Sequence, residues 1–306
     1  MAAVPEFERV RPSAAPVLSL SGAYGAKWTE GSTQSISIRT LVPKPLHTFR
    51  RDALAFMELH ISAMTLALPD IVVQPVPRHI AVIMDGNGRW ANARKKPRQF
   101  GHKAGVEALR RTVQSAAELG ITYLTVFGFS TENWRRPVAE IEALFDLMRL
   151  YVDRDLDRLA REGVRIRIIG ERVNLPTDLE KLIQRAEDRT AQNSRFYLTI
   201  AFNYGGQAEI VRAAQRIAQA ALHQTLAISD INSDLFRSFL DTKDLPDPDL
   251  LIRTSGEQRM SNFLIWQAAY AELIFLDVFW PDFDRAHLVD AIAQFQRRDR
   301  RFGASQ

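Results

Sequence analysis

A carboxylate beside two glycines is the first group in this sequence that could do chemistry. Asp85 follows an apolar run that ends at Met84, and Gly86, Asn87 and Gly88 come next. Glycines in a turn between a strand and a helix let backbone N–H groups approach an anion, and a neighbouring carboxylate can share Mg²⁺ with a bound phosphate. The spacing fits neither a dinucleotide-binding loop nor a P-loop. The segment therefore predicts a phosphate site with Mg²⁺, and a simple turn is the alternative.

Basic residues follow this segment in the next loop and helix start. Arg98 and His102 flank the expected beginning of a helix, where anions are favoured, and we expect both to contact a diphosphate. Lys95 and Lys96 belong to the same loop, but this pair is more typical of a solvated surface. The loop thus adds two cations to the predicted phosphate site.

A second polar segment, Gly128–Pro137, follows the next apolar run. It brings together hydroxyls, a carboxylate, an amide, an indole and two arginines ahead of a helix that Pro137 opens. Asn133 could orient a group or relay a proton, and Arg136 could bind phosphate. The same residues would also form an ordinary helix cap, so the pattern leaves both interpretations open.

Arg253 and Arg259 mark a third segment, RTSGEQRMSNF. Guanidinium groups match phosphate oxygens in bidentate fashion, which favours a second diphosphate site. A nucleic-acid surface is the alternative. It is disfavoured because exposed aromatic residues do not alternate with the arginines along a basic stripe, and we expect no nucleic-acid partner.

Glu272 is the last candidate. It lies in the strongly apolar and aromatic stretch WQAAYAELIFLDVFWPDF. A carboxylate in such surroundings is either a paired structural group or a metal ligand, and the residues alone do not decide between the two.

Short apolar runs that alternate with long amphipathic stretches must position these groups. The alternation predicts an α/β fold whose central, mostly parallel six-stranded sheet is flanked by helices. Ligands bind at the carboxyl ends of such strands, where Asp85, Ser130, Asn203 and Thr254 are expected. The predicted strands are His79–Met84, Tyr123–Phe129, Val164–Ile169, Phe196–Phe202, Leu250–Arg253 and Leu273–Phe275, and the predicted helices cover 103–119, 138–162, 178–193, 206–222, 230–241 and 284–300.

Composition excludes several classes of protein. With 46% hydrophobic and 25% charged residues, the 306-residue chain is typical of a soluble globular protein with one sizeable domain. It has no cysteine, which excludes disulfides, thiolate metal sites and cysteine nucleophiles. The net charge of +4 suits anionic partners. No apolar stretch has the length of a membrane span and no signal peptide is evident, so we expect a cytoplasmic protein.

Residues 1–75 differ from the rest of the chain. They mix Pro, Ser, Gly and Thr with basic residues, and we predict a disordered or loosely attached extension before a catalytic domain at 76–303. An organelle transit peptide is a disfavoured interpretation, because the arginines do not share one helical face. A true start at Met57 or Met64 is another.

Taken in order, these segments resemble the cis-prenyltransferase family, specifically bacterial undecaprenyl diphosphate synthases, over about residues 78–283. The shared motifs are HIAVIMDGNGRWA, FGHKAG, FSTENW, AFNYGG, DLLIRTSGEQRMSNFL, and AYAELIF followed by DVFWPDF. The resemblance implies a homodimer and a hydrophobic tunnel that receives the growing polyprenyl chain. The implied activity is a Mg²⁺-dependent, sequential cis-condensation of isopentenyl diphosphate onto an allylic diphosphate. The usual primer is farnesyl diphosphate, and the expected product is undecaprenyl diphosphate, the lipid carrier precursor for cell-wall polysaccharides.

The resemblance also implies roles for individual residues. Asp85 matches the catalytic carboxylate that is linked to Mg²⁺, Asn133 the proposed proton acceptor, and Glu272 a second Mg²⁺ ligand supplied across the dimer interface. The implied substrate-binding residues are Gly86, Asn87, Gly88, Arg89, Trp90, Arg98, His102, Ser130, Thr131, Glu132, Trp134, Arg136, Arg253, Arg259, Met260 and Ser261. Within that set, Arg253, Arg259 and Ser261 match the isopentenyl diphosphate site.

The residues also bear on product length and binding partners. Gly128 is small at a position where bulk would narrow the tunnel mouth, which favours a long product. The alternatives are a cis-prenyl synthase of different chain length and a catalytically silent partner subunit, which is disfavoured because the chemical groups are all present. A nucleotide-binding regulator would need a phosphate loop that this chain lacks. A lipid product also leads us to expect peripheral contact with the inner face of the membrane.

Overall fold

Six parallel strands form the central sheet of the part of the chain that the structure, a computed structural model, describes, namely residues 76–298. The predictions for residues 1–75 lie outside this range. The strands follow the order β3-β4-β2-β1-β5-β6, and every neighbouring pair is parallel. Both the predicted strand number and the parallel arrangement are confirmed. The strands are β1 (His79–Ile83), β2 (Tyr123–Ser130), β3 (Val164–Ile169), β4 (Phe196–Tyr204), β5 (Leu250–Thr254) and β6 (Glu272–Leu276).

Helices connect the strands and cover the sheet. They are α1 (Asn87–Ala93), α2 (Arg98–Glu118), α3 (Val138–Arg161), α4 (Thr177–Thr190), α5 (Gly206–Leu222), α6 (Ser233–Ser238) and α7 (Arg285–Gln296). Short 3₁₀ turns lie at Thr131–Arg135, Ile228–Asp230 and Trp280–Asp282. None of the helices within residues 76–298 has the length and apolar character needed to cross a membrane.

One helix was not predicted, and others differ from the prediction in extent. The sequence does not predict α1, because seven residues are too few to show an apolar period. Helix α2 begins earlier than expected, at Arg98, because Pro97 provides its N-cap position. The helix expected over 230–241 is cut to α6, whose start is fixed by the side chain of Asn232 as N-cap.

The core lies on both faces of the sheet, and the central strand β1 shows how. All five of its residues are buried. Ile80 and Val82 point into the larger apolar cluster under α2, α3, α4 and α7, whereas Ala81 and Ile83 point into a smaller cluster on the other face. A strand buried on both sides has little freedom to shift, so the residue that follows it is held in place.

The amino-terminal edge of the sheet is closed by a hydrogen-bond network around Asp249 and His79. The carboxylate of Asp249 accepts the backbone N–H groups of Arg78 and His79, at 2.8 and 3.1 Å. The ring of His79 lies 2.7 Å through Nδ1 from the carbonyl oxygen of Pro246 and 2.8 Å through Nε2 from the hydroxyl of Thr125. Burial lowers the pKa of His79 to about 4, so its ring is neutral at pH 7.

Candidate active site

The turn after β1 has the sharp geometry that its glycine allows. Gly86 has φ of 102°, a left-handed conformation that favours glycine, and a Cβ there would lie 2.9 Å from the ring of Phe279. The carbonyl of Gly86 accepts the N–H of Trp90 at 2.8 Å, which starts α1. Asp85 is therefore presented at the carboxyl end of the central strand, as the sequence predicted.

Asp85 is paired with two arginines. The register places Ile83 beside Arg253 on β5, and Arg253 Nη2 donates to Asp85 Oδ2 at 2.9 Å. Arg89 Nη2 lies 3.2 Å from the same oxygen, and the N–H of Gly86 donates to Oδ1 at 2.6 Å. Burial would raise the pKa of Asp85, but the Arg253 hydrogen bond and the two cations outweigh it and hold that pKa below its usual value. The carboxylate is therefore ionised at neutral pH.

Arg253 joins Asp85 to the third predicted segment. Its side chain is only 4% exposed, and its Nη1 donates to the carbonyl of Arg259 at 2.5 Å and to the hydroxyl of Ser261 at 2.7 Å. Its Nε is buried without a hydrogen-bond partner. Arg253 thus fixes both sides of the site and retains one donor for a ligand.

Asn262 is a site residue that the sequence analysis missed. Its Nδ2 donates to Glu132 Oε1 at 2.8 Å, and its Oδ1 and carbonyl accept the N–H groups of Gln207 and Gly206 at the start of α5. Its φ of 63° is left-handed, which asparagine tolerates better than most residues. A polar residue of this type beside Ser261 was the available signal. Asn262 ties three loops of the site together.

Glu140 is the second missed residue, and it gathers the cations at the mouth of the site. Arg136 Nη1 lies 3.1 Å from Glu140 Oε1, while Arg98 Nη1 and His102 Nε2 lie 3.6 Å from its two oxygens. Its position four residues after Arg136 was the sequence signal. Burial and the charge of Arg136 lower the pKa of His102, so the buried imidazole is neutral at pH 7. The buried Nε2 of His102 has no hydrogen-bond partner.

Two glycines of the FGHKAG motif bring α1 and α2 into close contact. A Cβ on Gly101 or Gly105 would collide with Asn87, and the carbonyl of Gly105 accepts the indole N–H of Trp280 at 2.7 Å. This packing leaves Asn87 Oδ1 buried without a partner. The motif therefore shapes this side of the site by letting two helices approach.

Asn133 has the cap geometry that the sequence left open. Its Oδ1 accepts the N–H of Ser130 at 3.0 Å, and the Ser130 side chain interacts in turn with the Asn133 backbone, which forms a capping box. Asn133 also lines the cavity described next. The cap and site interpretations are therefore compatible for this residue.

A cavity of about 720 Å³ extends from these groups beneath α2, α3 and α4. At the mouth Gly128 is the extra residue of a β-bulge, since Phe127 pairs with Ala201 and Phe129 with Phe202. The deeper wall is mainly aliphatic, and its members include Val106, Leu109, Val113, Leu144, Met148, Val152, Leu156, Leu159, Ile166, Ile168, Leu198 and Ile200. An apolar cavity with a charged mouth suits a ligand with a charged head and an apolar tail.

Comparison with protein families agrees with this geometry. The family model described as "Putative undecaprenyl diphosphate synthase" matches residues 83–303, well over half of the chain. The chain belongs to this family. It is a prenyltransferase, and the family resemblance seen in the sequence is confirmed.

Individual relatives support the same assignment. An isoprenyl transferase 2 from Bradyrhizobium diazoefficiens is 56% identical over 227 residues, which covers 74% of this chain and 90% of the relative. A ditrans,polycis-undecaprenyl-diphosphate synthase, (2E,6E)-farnesyl-diphosphate specific, from Aliivibrio fischeri is 50% identical over 75% of this chain and 90% of its own length. The crystal structure of lavandulyl diphosphate synthase from Lavandula x intermedia, in complex with dimethylallyl diphosphate, superposes with a TM-score of 0.73 at 36% identity, covering 75% of this chain and 99% of that one.

Several predicted substrate-binding residues of this prenyltransferase do not line the cavity. Trp90 donates through Nε1 to Asp282 at 2.7 Å, and Trp134 donates to Asn203 Oδ1 at 2.8 Å while packing edge-on against Phe129. The residues of the predicted set outside the cavity lining are Arg89, Trp90, Thr131, Trp134, Arg259 and Met260, whereas Gly86, Asn87, Gly88, Arg98, His102, Ser130, Glu132, Arg136, Arg253 and Ser261 line it with Asp85 and Asn133.

Glu272 lies at the opposite edge of the sheet. It is the first residue of β6, beside Leu250, and its Oε2 accepts from Arg298 Nη1 at 2.7 Å. The strand register separates it from Asp85 by roughly 16 Å along the strands. Within one chain, Glu272 is a paired carboxylate, so the predicted second metal ligand does not meet Asp85.

The residues around Asp85 fit a Mg²⁺ ion only in part. No cluster of three or more His, Cys, Asp or Glu side chains that could hold a metal occurs within residues 76–298. The Asp85 side chain is 30% exposed and reaches the cavity, so it can offer a carboxylate oxygen. Because Mg²⁺ in phosphate-handling sites takes one or two carboxylates and fills its shell with phosphate oxygens and water, this donor set suits the ion once a diphosphate is bound.

Proposed function

We propose that this prenyltransferase adds isopentenyl diphosphate sequentially to an allylic diphosphate, with farnesyl diphosphate as primer and undecaprenyl diphosphate as product. The observation that carries the proposal is the pairing of two separate groups of cations with one apolar cavity. Two diphosphates need two cationic sites, and a growing chain needs an apolar space beside them. The name of the Aliivibrio relative, an undecaprenyl diphosphate synthase specific for (2E,6E)-farnesyl diphosphate, supports this choice of primer and product.

The allylic diphosphate is assigned to the side formed by Gly86–Gly88 and α2. Arg98, His102 and Arg136 reach this side together and share Glu140, which is the protein's own anion at that point. A diphosphate would take over donors that Glu140 now holds at 3.1 to 3.6 Å, and it would also reach the unpartnered Nε2 of His102.

Isopentenyl diphosphate is assigned to the side of Arg253, Arg259 and Ser261. The fork of Arg253 is already oriented by Asp85 and by the hydroxyl of Ser261, so little side-chain freedom is lost when a diphosphate binds. Arg259 is exposed and paired with Glu257, and it would swing to the ligand.

The reaction breaks the bond between C1 of the allylic substrate and its diphosphate oxygen. The isopentenyl double bond supplies the electron pair for the new carbon–carbon bond at C1, and loss of a proton leaves a Z double bond. Asn133 is proposed to accept or relay that proton from its capped position at the cavity wall. Asp85 and the diphosphate oxygens would hold Mg²⁺, which when bound neutralises the leaving-group charge. Arg98 and Arg136 stabilise the same charge from the allylic side.

The assembly proposed is a homodimer in which Glu272 completes the metal site of the partner subunit. Its support is that Glu272 lies on the edge strand β6 and is too far from Asp85 in its own chain. Glu272→Gln should then raise the Mg²⁺ concentration that catalysis requires. An unchanged Mg²⁺ titration in a folded Glu272→Gln dimer would reduce Glu272 to the structural partner of Arg298.

A long product is proposed from the position of Gly128. A Cβ there would approach Ile200 Cγ2 to 3.3 Å, and both residues line the cavity. Bulk at this position would narrow the path of the chain, so Gly128→Leu should shorten the product. A product of only three or four isoprene units from the unmodified protein would contradict the proposed length.

We also place the protein in the cytoplasm, with peripheral contact with the inner face of the membrane. Isopentenyl diphosphate is a charged, water-soluble substrate, whereas the product is a lipid that must reach a bilayer. This contrast supports an enzyme that works from the aqueous side.

The deciding experiment incubates purified protein with farnesyl diphosphate, radiolabelled isopentenyl diphosphate and Mg²⁺, and resolves the products by chromatography. The expected result is a ladder that ends at undecaprenyl diphosphate and is absent when Mg²⁺ is omitted or when Asp85→Ala is used. A ladder with another end point would support a synthase of different chain length. A folded dimer that incorporates nothing would indicate a silent partner subunit.

A further inference from the structure

One part of the cavity wall is charged. Beyond the mouth, α2 and α3 face each other across the cavity mainly with aliphatic residues, but Arg110 on α2 and Asp155 on α3 also line it. Arg110 lies twelve residues beyond the start of α2 at Arg98, or roughly 18 Å along the helix. The charged pair is therefore deep in the wall and far from the diphosphate-binding groups.

A bridge of four side chains, which we call the Arg110 bridge, connects the two helices at this point: Glu107, Arg110, Tyr151 and Asp155. Arg110 Nε donates to Asp155 Oδ2 at 2.6 Å, and its Nη2 binds the same oxygen. Arg110 Nη1 donates to Glu107 Oε2 at 3.1 Å. The hydroxyl of Tyr151 donates to Glu107 Oε1 at 3.1 Å, and the Arg110 guanidinium lies 5.0 Å from the Tyr151 ring centre.

Within the bridge, Arg110 and Asp155 are better buried than the ion pair that α3 makes with α4. The side chains of Arg110 and Asp155 are 18% and 13% exposed. On the other side of α3, Arg149 bonds to Asp178 of α4 at 2.7 Å, yet Asp178 is largely exposed and neither residue lines the cavity. A surface ion pair of that kind contributes little to the free energy of unfolding. Removing one partner of a partly buried pair, in contrast, leaves an uncompensated charge in the protein interior.

A charged bridge in an apolar cavity has a mechanical consequence. Apolar side chains around an empty space tend to close on it, because protein interiors pack densely. Long polar side chains that are fixed to each other hold α2 and α3 at a set distance without filling the space between them. They also close the gap between the helices, since guanidinium and carboxylate groups do not readily give way to an alkyl chain.

We propose that the Arg110 bridge forms the side wall that confines the growing chain and so helps to determine product length. This inference rests on the proposed function. With the bridge intact, a chain that passes Arg110 is directed toward Ile183 and Ala186 of α4, at the inner end of the cavity. With the bridge opened, the chain end can leave sideways between α2 and α3, and further condensations are no longer blocked.

The test compares product distributions of Arg110→Ala, Asp155→Ala and Asp155→Asn with those of the unmodified protein, under the conditions of the deciding experiment. Asp155→Asn keeps the shape of the side chain and serves if the alanine variants do not fold. The matched control is Arg149→Ala, which removes an ion pair from the same helix without touching the cavity. Thermal unfolding and gel filtration establish that each variant is folded.

The expected result is a shift of the most abundant product by at least one isoprene unit toward longer chains in the bridge variants, and none in Arg149→Ala. An unchanged or shorter distribution in folded bridge variants would overturn the inference. Failure of the proposed function has a different signature, because the unmodified protein itself would then produce no ladder or a ladder with another end point.

Discussion

The two edges of the sheet show how differently this protein treats polar groups that it buries. At the amino-terminal edge, both ring nitrogens of His79 have partners and the ring is neutral. At the carboxyl edge, Asn87 Oδ1, His102 Nε2 and Arg253 Nε are buried without partners and line the cavity. These are three of six such side-chain atoms within residues 76–298. Since buried polar atoms are normally satisfied, the first edge is built for stability and the second for a ligand.

Charged side chains also differ between the two edges of the sheet. The carboxyl edge holds Asp85 against Arg253 and Arg89, and Glu140 against three further basic side chains. These carboxylates keep the cations oriented where diphosphates are proposed to bind. At the amino-terminal edge, the carboxylate of Asp249 instead accepts two backbone N–H groups, and Glu272 is paired with Arg298. Substitutions at the two edges should therefore affect different measurements.

The largest effect is expected for Asp85→Asn. Removing the carboxylate charge takes away the anchor of Arg253 and the proposed Mg²⁺ donor, so kcat/KM should fall by about 10³-fold, or roughly 4 kcal/mol. Steady-state kinetics with farnesyl and isopentenyl diphosphates measure this. Asp244→Asn, an exposed carboxylate at the surface, is the matched control and should retain full activity. A loss of less than tenfold would remove Asp85 from the chemistry.

The next effect concerns stability at the opposite edge. The folded-state pKa of His79 is about 4, below the ordinary value of 6.5, so the unfolded chain binds the proton more readily. Above pH 6.5 the neutral His79 ring contributes about 3 kcal/mol to the free energy of unfolding. This contribution is lost as the pH falls toward 4. Urea unfolding at several pH values measures it.

The control for this prediction is His79→Gln. The variant should be less stable at pH 7 but should lose the part of the pH dependence that comes from the imidazole. Its kcat at pH 7 should match that of the unmodified protein, because His79 is far from the cavity. An identical pH slope in both proteins would assign the acid sensitivity to other groups.

Arg253→Lys should have an intermediate effect. A lysine can replace one point contact, but it cannot bind Asp85 and Ser261 through separate nitrogens as Arg253 does. We expect KM for isopentenyl diphosphate to rise about 30-fold, or roughly 2 kcal/mol, with a much smaller change in KM for the allylic substrate. Equal changes in both KM values would contradict the assignment of Arg253 to the isopentenyl side.

The smallest effect is expected for Asn262→Gly. Glycine accepts the left-handed backbone of this position, so the variant removes the side-chain bonds to Glu132 and Gln207 without adding strain. KM for isopentenyl diphosphate should rise about tenfold as the 259–261 loop loosens. Asn262→Asp keeps the acceptor for Gln207 but repels Glu132, and it should be worse than glycine. An unchanged KM in both variants would limit Asn262 to a folding role.

The sheet and the position of Asp85 could be predicted from the sequence, because both depend on local patterns. Apolar runs give all six strands, and a carboxylate after the first strand must lie at the carboxyl edge. Helix α1 was missed because it is held by packing against Gly101 and Gly105 rather than by its own periodicity.

Residues whose importance depends on distant partners could not be found in this way. Asn262 acts through Glu132, and the Arg110 bridge connects positions on two separate helices. The resemblance assigned Glu272 to a metal site across the dimer interface, and the register places Glu272 and Asp85 of one chain at opposite edges of the sheet.

The central position of β1 has a consequence for synthesis of the chain. Asp85 and Arg253 are 168 residues apart, and β1 pairs with β5 only after most of the protein has left the ribosome. Until then a nascent chain can pair β1 with β2, but the other edge of β1 stays open and apolar, a state prone to association. The proposed catalytic centre is therefore among the last features to assemble, and an incomplete chain would lack the Arg253 side of it.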